Sequence, residues 1–250
     1  MNQFNNFNRQ HNPNEIYVPA THAEQTGLNR HVTKVFGWTF LGLLTTALTV
    51  MGMIWGLANE IPIFFDILQL GIMLSVAQIV LVMVLAVRIQ KMRPSTAKLL
   101  YLTYSASMGI MFTWLALTME LMVLGQAFAI TAGSFGIMAV YGVVTKQDLL
   151  SYGRILTTAI IGLLIASLVN MFMDNDLLDM LISVSGVFIF LAFVVYDSAK
   201  IKHMYAHSLD ASGQPTALTE NLAVFSALQL YLNFINLFMF VLRLLNRGRD

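Results

Sequence analysis

A few polar side chains stand inside or at the edge of long apolar stretches of this chain. Gln229, Asn233 and Asn236 have offsets of 0, 4 and 7, so a helix would carry all three on one face. Asp197 directly follows the apolar residues 187–196. Polar groups are costly to bury in a membrane, where they face a bundle interior and mark ion or proton paths. The pattern therefore predicts a polar pathway between helices.

Asp197 has two interpretations. In the first, it is a solvated residue at the edge of a span, paired with Lys200 or Lys202. In the second, it is an ionisable gate embedded in the membrane. Arg88 ends another apolar run and could reach a carboxylate, because long basic side chains extend along apolar surfaces. Two further polar residues of the apolar runs are assigned to the pathway lining: Gln78 and Asn170.

Three carboxylates, Asp174, Asp176 and Asp179, fall in or beside one short polar break. They could concentrate cations at a pathway entrance. The alternative is a solvated turn in which Asp179 caps the following helix. A calcium path needs about six to eight oxygen ligands, many of which can be water, and the sequence holds no EF-hand pattern.

The sequence indicates neither catalysis nor a resident metal or cofactor. It contains no cysteine, which excludes thiolate chemistry, and no hydrolase or phosphate-loop motif. Five histidines lie in the first 34 residues or near residue 205: His11, His22, His31, His203 and His207. The last two could share a metal on a helix, with no clear third ligand beyond Asp210 or Glu220. We predict a protein that is not an enzyme.

Composition points to a membrane protein. Of the 250 residues, 57% are hydrophobic and 11% are charged, whereas a soluble domain has about a quarter charged. Mean hydropathy is +0.71. Fourteen basic and 13 acidic residues leave a net charge of +1, which gives no basic field for nucleic acid. We expect membrane lipid to be the main partner.

Seven apolar runs are each near the length of about 20 residues that a membrane-spanning helix requires. They cover residues 35–58, 65–87, 99–119, 123–144, 155–173, 179–196 and 222–245. The sequence thus predicts an all-α, polytopic membrane domain over 35–245, a mostly disordered tail over 1–34 and a short C-terminal tail over 246–250. Small residues at helical spacing in the fourth run predict close helix packing: Gly125, Ala129, Gly133, Gly136, Ala139 and Gly142.

The basic residues predict the orientation of the spans. They concentrate in the second, fourth and sixth breaks, so the positive-inside rule places these breaks and the N-terminus in the cytoplasm. Seven spans then put the C-terminus outside. Arg243, Arg247 and Arg249 oppose that placement, and a last segment that re-enters the membrane is the alternative.

Three stretches resemble the Bax inhibitor family, also called the transmembrane Bax inhibitor motif family. They are Phe-Gly-Ile-Met-Ala-Val-Tyr-Gly at 135–142 with Thr-Lys-Gln-Asp-Leu at 145–149, Val-Tyr-Asp at 195–197 with Ile-Lys at 201–202, and Ala-Leu-Gln-Leu-Tyr-Leu-Asn-Phe-Ile-Asn-Leu-Phe at 227–238 with Leu-Arg at 242–243. The resemblance covers about residues 35–247, and the Thr-Lys-Gln-Asp-Leu form at 145–149 resembles that of bacterial members.

The resemblance implies a bundle of seven helices in a bacterial inner membrane, with the last helix at its centre. Family members are described as pH-sensitive calcium leak channels whose sensor is a pair of aspartates. The first aspartate matches Asp197, whereas the second is replaced by Asn233. A basic partner near the end of the second helix matches Arg88 or Arg93, and a glutamate of some members is replaced by Gln78.

The replacement at Asn233 bears on both functions that the resemblance permits. Two carboxylates in one buried site share a proton, which can act as a switch near neutral pH. Asp197 with Asn233 lacks that pair, so we expect the pH gating of a leak to be weak or shifted. The other function is a non-conducting regulator that binds a membrane protease or other membrane proteins in a stress response. Because Asn233 and Gln78 are neutral, this alternative fits this chain better than it fits a typical member.

Overall fold

The computed structural model describes residues 22–210 and 213–247, which form eight α-helices. They are α1 (His22–Ala58), α2 (Pro62–Gln69), α3 (Gly71–Arg88), α4 (Pro94–Thr118), α5 (Leu121–Val144), α6 (Gly153–Met173), α7 (Asp176–Ser208) and α8 (Ala217–Arg247). Short 3-10 helices at Ile89–Lys91 and Leu150–Tyr152 precede α4 and α6. The predicted all-α class is confirmed.

Six of the described helices are long and apolar enough to cross a membrane: α1, α4, α5, α6, α7 and α8. The second apolar run differs from the single helix that was predicted. It is divided between α2 and α3, which together pass the same test but are bent by 68°. The division falls at Leu70, next to Gly71, and glycine is among the weakest helix formers.

The long helices extend beyond the predicted spans. Helix α1 begins at His22, with Leu28 and His31 buried, so the prediction of a disordered tail is wrong for residues 22–34. Residues 1–21 of that tail lie outside the described residues. Helix α7 continues to Ser208, which puts Lys200 and Lys202 in helix rather than in a break. The 37 residues of α1 measure about 55 Å, well over the roughly 30 Å of a bilayer core.

Local signals set several helix starts. Pro62 and Pro94 occupy the first turns of α2 and α4, where proline lacks only an amide that would have no partner in the helix. At the start of α7, the amide of Leu178 donates to Asn175 Oδ1 at 2.9 Å. Asn175 is therefore the capping residue, and the expectation that Asp179 caps this helix is wrong.

Helix α8 is the most buried of the described helices. In its most apolar 18-residue window 67% of the residues are buried, against 28% or less in the other candidate spans. It packs against α1, α4, α5 and α7. Helix α6 lies at the other extreme, with 6% of the residues in its window buried, because it packs mainly against α7.

Polar contacts define two ends of the bundle. We call one the lysine end, where Lys34 and Lys98 meet Glu220 at the start of α8. We call the other the aspartate end, where Asp176 and Asp179, at the start of α7, pair with Arg247 and Arg243 of α8. Helices α7 and α8 are therefore antiparallel, linked through the loop at the lysine end and by ion pairs at the aspartate end.

The small residues of α5 are divided between two faces. Gly125, Ala129 and Gly133 lie on the exposed face, and a Cβ atom at either glycine would meet nothing within 4 Å. The prediction that these three residues pack closely is wrong. The buried face of α5 instead carries Phe135, Ala139 and Gly142, together with three residues nearer its start: Val123, Ala127 and Thr131.

A relay of buried hydroxyl groups joins α8, α1 and α4. The hydroxyl of Tyr231 lies 2.8 Å from Thr46 Oγ1, which donates to the carbonyl of Ser105 at 2.9 Å. The rings of Tyr101 and Tyr104 each contact the ring of Tyr231 edge-on, with centroids 6.0 Å apart. Because Thr46 donates its proton to a carbonyl, Tyr231 is the donor to Thr46.

Tyr231→Phe removes this donor and preserves the ring contacts. We expect the free energy of unfolding to fall by about 1 kcal/mol, the net value of a buried hydrogen bond, and Tm in detergent to fall by roughly 2–4 °C. Tyr152→Phe is the matched control, because the Tyr152 ring is 54% exposed and the loss of its hydroxyl is expected to leave Tm unchanged. Equal Tm values for Tyr231→Phe and the native protein would contradict the relay.

Candidate functional site

Asp197 and Asn233 form a hydrogen-bonded pair in the interior of the bundle. Asn233 Nδ2 donates to Asp197 Oδ2 at 2.7 Å. The two residues are 7% and 6% exposed. Asp197 lies 11 residues before the end of α7, about 16 Å along its axis, and Asn233 is near the middle of α8. The apolar run before Asp197 and the polar stripe of α8 thus place one carboxylate against one amide.

The surroundings of Asp197 do not fit a solvated edge residue. The Lys200 ammonium lies over the Tyr196 ring, 5.8 Å from its centroid. Lys202 Nζ donates to the carbonyl of Thr145 at 2.9 Å, which ties α7 to the loop after α5. Among the described residues no cation is within 4 Å of the Asp197 carboxylate, so the expected ion pair with either lysine is absent.

Arg88 and Arg93 do not contact Asp197 in this structure. Both are exposed, Arg88 at the end of α3 and Arg93 directly before α4. Neither takes part in an ion pair within the described ranges. The contact expected of a counter-ion is therefore absent in this conformation. The reason is positional, because both arginines are exposed at the two ends of the connection between α3 and α4, whereas Asp197 is buried against α8.

The other predicted lining residues bind locally or to a neighbouring helix. Asn236 donates to the carbonyl of Leu232 in its own helix at 2.8 Å, and Gln229 is half-buried. Gln78 Nε2 donates to Ser107 Oγ at 3.3 Å and links α3 with α4. Asn170 Oδ1 accepts from the amide of Asn175 at 3.2 Å in the turn between α6 and α7. That turn is about 30 Å along α7 from Asp197, so Asn170 belongs to the aspartate end.

The acidic cluster is divided between a turn and three ion pairs. Asp174 ends α6 with φ of 45° and is exposed. Arg247 contacts Asp176 at 2.9 Å and Asp179 at 3.4 Å, and Arg243 contacts Asp179 at 3.4 Å. A cation entrance here stays a prediction, and it would have to compete with two arginines. In the described parts of the chain no three histidine or carboxylate side chains are grouped to hold a metal.

One polar cluster was missed in the sequence. The Glu220 carboxylate accepts from Lys34 of α1 and, at 3.2 Å, from Lys98 of α4. The adjacent Asn221 donates to the carbonyl of Met92 at 2.8 Å. No local pattern could identify this cluster, because the two lysines lie 186 and 122 residues from Glu220. Only the topology, which puts the starts of α1, α4 and α8 at one end, brings them together.

Comparison with known proteins accounts for most of the chain. The Bax inhibitor family, described as "Inhibitor of apoptosis-promoting Bax1", matches residues 28–250. The inner membrane protein YbhL of Escherichia coli K12 is 34% identical over 228 residues, which are 90% of this chain and 94% of that protein. Uncharacterized proteins are similar in Deinococcus radiodurans (34% identity, 88% of this chain and 90% of that protein) and Borreliella burgdorferi (35%, 89% and 94%).

Glu220→Gln removes the charge that neutralises Lys34 and Lys98. Half-exposed ion pairs are each worth about 0.2–1 kcal/mol, so we expect Tm in detergent to fall by roughly 1–4 °C at low salt. The difference from the native protein should narrow in high salt, which screens such pairs. Asp66→Asn is the control, because the exposed Asp66 forms no ion pair with a described residue. A Tm difference that is independent of salt would contradict an electrostatic role for Glu220.

Proposed function

Because the chain belongs to the Bax inhibitor family of membrane proteins, we propose that it provides a leak pathway for cations, calcium foremost, through a bacterial inner membrane. The observation that carries this proposal is the buried carboxylate of Asp197. It lies inside a helix long enough to span a bilayer, and its partner is a neutral amide rather than a cation. An ionisable group in such a place is a functional site by default, since burying it serves no purpose in packing.

The geometry supports a role for the pair as a gate. A carboxylate attracts a cation 4 Å away by about 4 kcal/mol at the effective dielectric constant near a protein surface. Asn233 orients that carboxylate without adding a second charge. A passing cation would have to displace the amide of Asn233 from Asp197. The hydrogen bond thus holds the pathway closed, and the exposed Arg88 or Arg93 is a counter-ion in another conformation.

The proposed architecture is a bundle of seven spans with α8 at its centre. Its support is the burial of α8 and its packing against four other helices. Helices α2 and α3 then form one broken span, which membranes tolerate where the break is covered by protein or lines a cavity. The lysine end and the N-terminus face the cytoplasm by the positive-inside rule. The ion pairs of Arg243 and Arg247 with Asp176 and Asp179 support an outer C-terminus, because their charge is neutralised there.

The second candidate function is a non-conducting regulator that binds a membrane protease or another membrane protein. The observation in its favour is that Asn233 and Gln78 are neutral at positions where, by the resemblance, members carry an aspartate and, in some of them, a glutamate. Fewer carboxylates mean a weaker attraction for cations along any path. In this case Asp197 would act through its hydrogen bond to α8, and conduction would be absent.

Asp197→Asn tests the leak directly. The introduced amide can still accept from Asn233, so the bond that closes the pathway remains, but the attraction for a cation is lost. We expect calcium entry into proteoliposomes loaded with a calcium dye to fall about tenfold or more, because a loss of 1.4 kcal/mol in attraction already gives that factor. Asp66→Asn is the matched control. It removes an exposed carboxylate that forms no ion pair with a described residue and belongs to no predicted pathway, so we expect its flux to equal the native flux.

The outcomes separate the two candidates. The leak is supported if the native flux exceeds that of empty liposomes, Asp66→Asn preserves it and Asp197→Asn lowers it. The absence of native flux, with the protein shown to be folded by its thermal transition, rejects the leak in favour of the regulator. Equal flux in the native protein and Asp197→Asn would place any pathway away from α7.

Asn233→Asp tests the effect of the missing acid. Two carboxylates at 2.7 Å share one proton, so we expect this variant to gain a steep pH dependence of calcium flux near neutral pH. The native protein should show a shallow response between mildly acidic and mildly alkaline conditions. A steep native response that Asn233→Asp leaves unchanged would contradict the role given to this residue.

A further inference from the structure

Gly142 of α5 lies against the part of α7 that carries Asp197. A Cβ atom built at Gly142 would lie 2.4 Å from the carbonyl oxygen of Val195 and 2.8 Å from the Cβ atom of Ser198. These two residues bracket Asp197. Both atoms belong to the α7 backbone or are fixed to it, so no change of side-chain rotamer can relieve the contact. Any larger residue at Gly142 must move one helix relative to the other.

This contact distinguishes Gly142 from the other glycines of the same helix. A Cβ atom at Gly125, Gly133 or Gly136 would meet nothing within 4 Å. On α7, Gly186 faces the ring of Phe240, which is a side chain with freedom to turn. Among the described glycines, only Gly109 shares with Gly142 a backbone atom closer than 3 Å to the added carbon, and Gly109 lies between α4 and α1.

Helix α8 packs against α5 as well as against α7, and the residue next to Asn233 lies on the α5 side. The ring of Phe234, the residue after Asn233, packs edge-on against Phe135 and Phe128 of α5 with centroids 5.4 and 5.8 Å apart. A shift of roughly 1 Å between α5 and α7 restores ordinary van der Waals contact at Gly142. The same shift would stretch the 2.7 Å bond between Asp197 and Asn233 beyond hydrogen-bonding distance, because the Phe234 ring holds the adjacent Asn233 against α5.

We propose that Gly142 is a positioning residue that fixes α7 at the distance from α5 at which Asp197 and Asn233 bond. The lack of a side chain at Gly142, rather than any group it carries, sets the geometry of the pair. The inference deepens the proposed function, since it names a residue outside the pair that controls it. Its structural part stands without conduction.

The first test is a double-mutant cycle on Tm in detergent micelles. Asn233→Ala alone removes the hydrogen bond and should lower Tm. In a G142A background, where the bond is already stretched, we expect Asn233→Ala to lower Tm by less than half as much. In a G133A background the full effect should remain, because a methyl group there enters open space and distant, independent sites are additive.

Ser198→Thr provides a milder variant if G142A does not fold. It adds one methyl group on the α7 side of the same contact, where a change of rotamer can absorb part of the strain. The effect of Asn233→Ala should again be reduced in that background. An effect of Asn233→Ala that is undiminished in G142A, or in S198T where G142A does not fold, overturns the proposal, since a merely structural contact gives additive losses.

The second test connects the residue with the pathway. We expect the ratio of native to Asp197→Asn calcium flux to fall at least twofold when both proteins also carry G142A, and to stay constant with G133A. The absence of flux in the native protein would reject the proposed leak, and the Tm cycle alone would then decide the role of Gly142. Native flux with an unchanged ratio in G142A, together with an additive Tm cycle, overturns the positioning role alone.

Discussion

Helix α8 meets its neighbours through polar side chains as well as through apolar packing, and the arrangement of the bundle depends on this. Its Glu220 reaches α1 and α4, its Tyr231 reaches α1, and its Asn233 reaches α7. In an apolar surrounding an unpaired polar group costs several kcal/mol, whereas water between the helices would supply partners at little cost. Each of these polar contacts therefore restricts where the neighbouring helix can lie. Apolar packing fills the space between the polar contacts.

Apolar runs of the sequence predict most of the helices because hydrocarbon length is a strict limit. The runs at 99–119 and 123–144 correspond closely to α4 and α5. Predictions failed where a helix leaves the hydrocarbon or breaks within it. The start of α1 is too polar to register as a span, yet Leu28 and His31 are buried against other helices. The division at Leu70 follows from one glycine, a weak signal in an otherwise continuous run.

Part of the candidate site could also be predicted from the sequence, because polar residues stand out within apolar runs. Asp197 and Asn233 stand out because each is polar within an apolar or periodic stretch, and the structure brings them to 2.7 Å. Glu220 gives no such signal, since a charged residue at a helix start is ordinary and its partners are far away in sequence. The small residues of α5 show a similar limit. Spacing alone assigns Gly125 and Gly142 to one kind of surface, but only the neighbouring helices decide that the first is exposed and the second is in contact.

The polar contacts of α8 have a consequence for biosynthesis. Lys34 precedes Glu220 by 186 residues, so at about 5–20 residues per second the ribosome adds the partner roughly ten to forty seconds later. During that interval Lys98 and Asp197 are inserted without the α8 side chains that pair with them. The nascent chain is thus an incomplete bundle with unpaired polar groups in or near the membrane until its final helix arrives. A chain that ends before α8 would keep those groups exposed, which gives cellular quality control a physical basis for telling finished molecules from unfinished ones.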